Sequence, residues 1–147
     1  MIPDFNYLLD TNILVYYTFD DFEPEKHSKS HSIIQSLADQ GAKFFISQQI
    51  IREYFAVVTN PRYLKNFLSP KDAIIEIKAF MNAFEVLDNE NTYLDLLFLF
   101  LEKYNVTKQD VHDANIAVTM LNNGIKQIIT YNKDHFSKFS EIIVICP

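Results

Sequence analysis

The chain has 147 residues, of which 48% are hydrophobic and 22% charged, and its net charge is -6. That is enough apolar material for one domain with its own core, expected over 1–147, and two Gly and five Pro leave little for linkers or low-complexity tails. The acidic balance excludes a grip on nucleic acid by bulk charge, which needs clustered Lys and Arg. The single cysteine, Cys146, excludes an internal disulfide or thiolate metal cluster and suits a reducing cytoplasm.

The opening MIPDFNYLLD has no basic segment followed by a long apolar stretch, so no signal peptide is expected. Asn6 to Leu9 reads as a first strand, with Asp10 directly behind it and a helix from Ile13. Pro24 starts a helix to Gln40, stopped by Gly41 and carrying Ile33, Ile34 and Leu37 on its apolar stripe. Lys43 to Ser47 is a second strand. It runs into a helix over Gln48 to Thr59, where Ile50, Ile51, Tyr54, Phe55 and Val58 recur at helical spacing until Asn60 and Pro61 end it. Ser69 and Pro70 cap and open a helix through Phe84, and Glu85 to Leu87 is a weaker strand.

A further helix opens at or near Asn91 and reaches Tyr104. Its run from Tyr93 to Leu101 is the most apolar in the chain, but it is far shorter than the ~20 residues a bilayer requires and Asp95 interrupts it, so no membrane span is expected. Asp110 to Asn123 is the last long helix, with Gly124 placed for a left-handed cap. Ile125 to Thr130 and Ile142 to Ile145 complete the strands, with Cys146 read as a small apolar residue of the last one. Such alternation implies right-handed crossovers and an α/β fold: a three-layer α/β/α sandwich around a mostly parallel central sheet. Strand order does not follow from the pattern.

In open parallel sheets ligands bind beyond the carboxyl ends of the strands. Asp10 follows the first strand there, Glu53 lies one to two helical turns beyond the second, and Asn132 and Asp134 follow KQIIT; Asp113 lies in the first turn of the preceding helix. Clustered carboxylates repel by a few kcal/mol per pair at an effective dielectric near ~20 and need compensation by protons or a cation. Without His or Cys partners, the hard oxygens favour Mg²⁺ or Mn²⁺. Each residue also has a purely structural reading. Asp10 can cap the helix behind it, Asp110 and Asp113 can complement a helix dipole, Asn132 and Asp134 can shape a turn, and Glu53 can sit on a solvated face.

Four segments, YLLDTNILVYY, IIREYFAVVTNP, VHDANIAVTM and IITYNKDHF, in that order and over nearly the whole chain, resemble the motifs of PIN-domain ribonucleases, and most of all small VapC-type toxins and stand-alone PIN proteins. The resemblance implies a PIN-like fold, Mg²⁺ or Mn²⁺ as cofactor, and RNA hydrolysed in line to 5′-phosphate and 3′-hydroxyl ends. It puts Asp10 and Asp113 on the metal, with Thr11 and Asn12 orienting the loop. Glu53 fills the second acidic position, holding a metal water or acting as base, and Thr130 and Asn132 form the polar pair after the fourth strand. Asn132 departs from relatives that carry an acid there, which leaves Asp134 or Asp110 as sources of a fourth carboxylate. The resemblance also implies an antitoxin partner that blocks the acidic groove. It implies a homodimer too, with Tyr54 to Val58 or Tyr93 to Leu101 as contact faces.

Arg52, Lys108, Lys133 and Lys138 lie near these segments and are candidates to meet an RNA backbone, single-stranded or looped RNA being favoured. His27 and His31, at i and i+4 on one helix, form a rival zinc pair without a third ligand, and His112 and His135 flank the acidic positions. Two other functions compete: a phosphatase with Asp10 as nucleophile, against which Asn12 stands where a second acid is wanted, and a PIN-like binding module without turnover.

Overall fold

The computed structural model describes residues 4–90 and 92–147. Its elements are β1 (Asn6–Leu9), α1 (Thr11–Thr18), α2 (Pro24–Asp39), β2 (Lys43–Ser47), α3 (Gln48–Val58), α4 (Pro70–Ala83), β3 (Glu85–Leu87), α5 (Tyr93–Lys103), α6 (Asp110–Asn122), β4 (Gln127–Ile129), α7 (Lys133–Phe136) and β5 (Ile143–Ile145). The five strands form one parallel sheet in the order β3-β2-β1-β4-β5. From β1 the chain moves outward to β2 and β3 through α1 to α4. It then returns across the sheet to β4 through α5 and α6, and reaches β5 through α7. With right-handed crossovers the reversal puts α1 to α4 on one face and α5 to α7 on the other. The packing agrees, for α1 meets α2 and α3, α3 meets α4, and α6 meets α5 and α7.

Local chemistry sets most of the element ends. Ser47 accepts from the Ile50 amide and so caps α3, Ser69 does the same for Asp72 ahead of Pro70, and Gly41 and Gly124 take φ of +92° and +76° beyond the helices they close. Two expected strands are shorter than their apolar runs. The Ile125 amide is used in closing α6, on the Met120 carbonyl at 2.9 Å, so the sheet takes up only from Gln127; at the other end Thr130 leaves the strand to serve the site, although its amide still donates to Ile145. Ile142 is buried ahead of β5, and Cys146 follows it as an exposed residue rather than a strand member. The helix before Ile13 starts two residues earlier, at Thr11. The expected opening at Asn91 lies outside the described residues.

The core fills both faces of the sheet, with Leu8, Leu9, Ile46, Ile128 and Ile129 from the strands and Ile13, Ile50, Tyr54, Val58, Ala117 and Met120 from the helices. This corrects one expected contact face: Tyr54 and Val58 are wholly buried, so the stripe they head belongs to the interior. On α5 the run divides, with Leu97 and Phe100 buried and Leu94, Phe98 and Leu99 exposed. Among the described residues no helix is long and apolar enough to cross a membrane.

Candidate active site

The chain leaves β1 in one direction along the sheet and β4 in the other, so the crevice between their carboxyl ends is the switch point at which such sheets bind ligands. Asp10 stands there. Its amide donates to the Ile129 carbonyl at 3.1 Å, which fixes it against β4, and the residue is 4% exposed. Oδ1 accepts from the Thr11 amide at 2.8 Å, while Oδ2 accepts from the Thr130 hydroxyl at 2.7 Å and the Asn12 amide group at 3.2 Å. Asp10 is therefore the cap of α1 and the floor of the crevice at once, and the two readings of this residue do not exclude each other. Asn12 turns its carbonyl oxygen to the Tyr131 amide at 3.0 Å, and Thr130 accepts from the Asn132 amide at 2.9 Å, so the loops after β1 and β4 are stitched together.

Asp10, Glu53, Asp113, Asn12 and Asn132 line a single cleft of about 600 Å³. Glu53 reaches it from α3, held by the Thr11 hydroxyl on Oε2 at 2.8 Å and by Gln49 on Oε1 at 2.7 Å. Asp113 reaches it from α6, with His135 Nδ1 at 3.2 Å from Oδ2. The other offered acids lie elsewhere. Asp110 is exposed and pairs with Lys138 at 3.4 Å, and Asp134 is exposed on α7, so neither lines the cleft as a replacement for the acid that Asn132 lacks. Gln49 and Asn115 went unrecognised. Gln49 also donates to the His112 carbonyl at 3.0 Å and accepts from Asn115, tying α3 to α6, and its spacing of four from Glu53 was the available signal. The rival zinc pair is committed to structure: His27 Nδ1 lies 2.7 Å from the Tyr16 carbonyl and His31 Nε2 2.9 Å from that of Tyr17.

Burial pushes the Asp10 carboxyl up from its ordinary 3.8 to about 6; the bonds from Thr130 and Thr11 oppose the rise and the charges of Glu53 and Asp113 add to it. Burial likewise raises Asp113, against the pull of His135 and Lys138. No Lys, Arg or His is among the described residues lining the cleft. Thr130→Val keeps the shape of this buried side chain and removes the hydroxyl that holds Asp10 down. The Asp10 titration is expected to move above about 6, read by carboxyl-carbon NMR against pH; an unchanged midpoint would remove Thr130 from this role.

Among the described residues no three His, Cys, Asp or Glu side chains stand close enough to grip an ion as they are. The donor chemistry fits a hard divalent cation nonetheless. A carboxylate has about four lone-pair sites, and the bonds above take three on Asp10 and two on Glu53, leaving acceptor capacity on both.

A family model described as PIN domain matches residues 7–142. No curated protein matches the chain. Among solved structures, VapBC2 from Rickettsia felis, bound to a DNA fragment from their promoter, is similar at 18% identity and a TM-score of 0.70, over 97% of this chain and 98% of that one. VapBC-1 from nontypeable Haemophilus influenzae is similar at 18% identity and 0.69, over 96% and 97%. VapC20 of Mycobacterium tuberculosis, a sarcin-ricin loop cleaving toxin, is similar at 11% identity and 0.66, over 90% and 95%. At these identities the likeness is one of fold.

Proposed function

Since the chain belongs to the PIN domain family, we propose that it is a metal-dependent ribonuclease, one PIN domain over 1–147, whose cleft between β1 and β4 hydrolyses RNA phosphodiester bonds. The observation that carries this reading is the convergence of Asp10, Glu53 and Asp113, from three distant segments, on one cleft with no lining cation. Asp10, Asp113 and Glu53 are the residues that would hold Mg²⁺ or Mn²⁺. Such an ion supplies charge neutralisation at the phosphate and a water of lowered pKa. Thr130, Asn12 and the Thr11 amide keep the Asp10 carboxylate aimed, and Gln49 and Thr11 do the same for Glu53. Asn132 offers a neutral amide at the cleft, suited to orienting a water or a phosphate oxygen. The phosphatase reading loses support because Asn12 donates to Asp10, where that chemistry wants an acid.

The fold shared with VapBC2 and VapBC-1 supports the toxin half of a toxin–antitoxin pair as its setting, with a small antitoxin covering the acidic groove. A homodimer joined through the exposed Leu94, Phe98 and Leu99 of α5 belongs to the same proposal. The expected result is cleavage of structured RNA in Mg²⁺ or Mn²⁺, abolished by chelator and restored by added ion, with 5′-phosphate products. RNA that binds and is never cut in either ion would leave the binding-module reading in its place.

A further inference from the structure

One side of the cleft is aromatic, and the carboxylate chemistry makes no use of it. Tyr16, Phe22 and Tyr63 line the same space as Asp10, Glu53 and Asp113, and Phe22 and Tyr63 remain 41% and 62% exposed. Tyr16 and Phe22 are stacked, with ring centroids 6.1 Å apart and planes at 17°. The two rings that are most open come from different loops, Phe22 from the turn between α1 and α2 and Tyr63 from the connection between α3 and α4, and the loops are tied by the Asn66 amide donating to Asp21. Beside Tyr63, Asn60 accepts from the Tyr63 amide through its carbonyl and from the Arg62 amide through its side chain, while the buried Leu64 pins the turn to the core. The loops that carry the rings are thus held in place by the protein, which lowers the entropy cost of covering them.

We infer that Tyr16, Phe22 and Tyr63 form a stacking subsite for an unpaired nucleobase of single-stranded RNA lying in the acidic cleft. A nucleotide carries within one residue a flat π face for the exposed rings and a phosphate whose oxygens would ligate the divalent cation that the carboxylates would hold. An apolar peptide would cover the rings but bring no phosphate oxygen to that cation. Lys26, whose ammonium lies 5.0 Å from the Tyr16 ring centroid and 5.3 Å from that of Tyr131, adds a cation at this side for a backbone phosphate. A base held in a duplex cannot present its face, so the subsite selects looped or open strands. The choice of RNA as polymer rests on the ribonuclease reading above.

The test is equilibrium binding of a fluorescent single-stranded RNA oligomer to the full chain, with Ca²⁺ present, compared with Phe22→Ala, Tyr63→Ala and the conservative Phe22→Tyr, each checked for an unchanged melt. Each alanine should weaken binding on the order of tenfold, Phe22→Tyr should restore it to within about twofold, and an oligomer of abasic nucleotides should show no difference between the proteins. Alanine variants that bind like the wild type, or that lose as much affinity for abasic RNA, overturn the subsite. So does a loss confined to a protein partner's binding. Wild-type protein that binds RNA through these rings yet never cuts it sinks the nuclease reading and leaves the subsite standing.

Discussion

Asp10→Asn is expected to reduce RNA cleavage by about a hundredfold or more in Mg²⁺ or Mn²⁺ and, at the same time, to make the ion-free protein relatively more stable as pH rises. The activity loss follows from removing the charge of a carboxylate at the floor of the cleft while keeping its size. The stability gain follows from the same burial. The Asp10 carboxyl titrates at about 6 in the folded chain, above its ordinary 3.8, so the folded state holds that proton more tightly than the unfolded one. The stability this contributes is full below about pH 3.8 and is gone once pH has risen through about 6. Asn carries no such penalty, so in chelator the variant should gain on the wild type between pH 4 and pH 8 by up to about 3 kcal/mol, seen as a difference in melting temperature measured at both pH values. Added Mn²⁺ should raise the wild-type melt at pH 8 and leave that of Asp10→Asn unmoved. Undiminished cleavage by the variant would remove Asp10 from the chemistry; a flat difference across pH would show that its buried charge costs the fold nothing.

Leu8→Ala is expected to cost the fold about 2–5 kcal/mol. Leu8 is fully buried in β1, between Phe45 of β2 and Ile128 of β4, in a sheet covered on both faces, so the void has little room to collapse. Denaturant titration gives the number, and a loss below about 1 kcal/mol would mean that the sheet centre repacks. Because Asp10 is placed by β1 and bonded to β4, the variant should also lose cleavage under conditions where it remains folded, whereas a truncation at the sheet margin such as Val144→Ala should lose stability with less effect on turnover.

The parts of this protein that could be read from its residues are those fixed by local rules. Pro24, Pro70, Gly41 and Gly124 punctuate helices through their own backbone preferences, and the strand-then-acid arrangement at Leu9 and Asp10 follows from how parallel sheets present strand ends. The order of the strands was not legible, because it is decided by which distant segments pair. The limits of β4 were not either, since Ile125 is taken up in closing α6 and Thr130 in holding Asp10, and an apolar run records neither. Asp110 and Asp113 share one helical turn, and only the packing of α6 against α7 and its bonds to Gln49 of α3 separate the one facing the cleft from the one facing Lys138. Gln49 escaped because an uncharged amide on a helix looks like surface; its work is to brace Glu53 and α6, which is a matter of tertiary neighbours.

The hydroxyl of Thr130 meets the carboxylate of Asp10 across a sequence separation of 120, and β1 finds its second neighbour only when Gln127 to Ile129 arrive. During synthesis the amino-terminal two-thirds can therefore pair β1 with β2 and β2 with β3, while the switch-point crevice remains half built until β4 is made. A chain that stops before Asp110 lacks α6 and β4 together, and with them Asp113 and the far wall. Completion of the acidic cleft is thus withheld until the polypeptide is nearly finished, a timing that follows from topology alone.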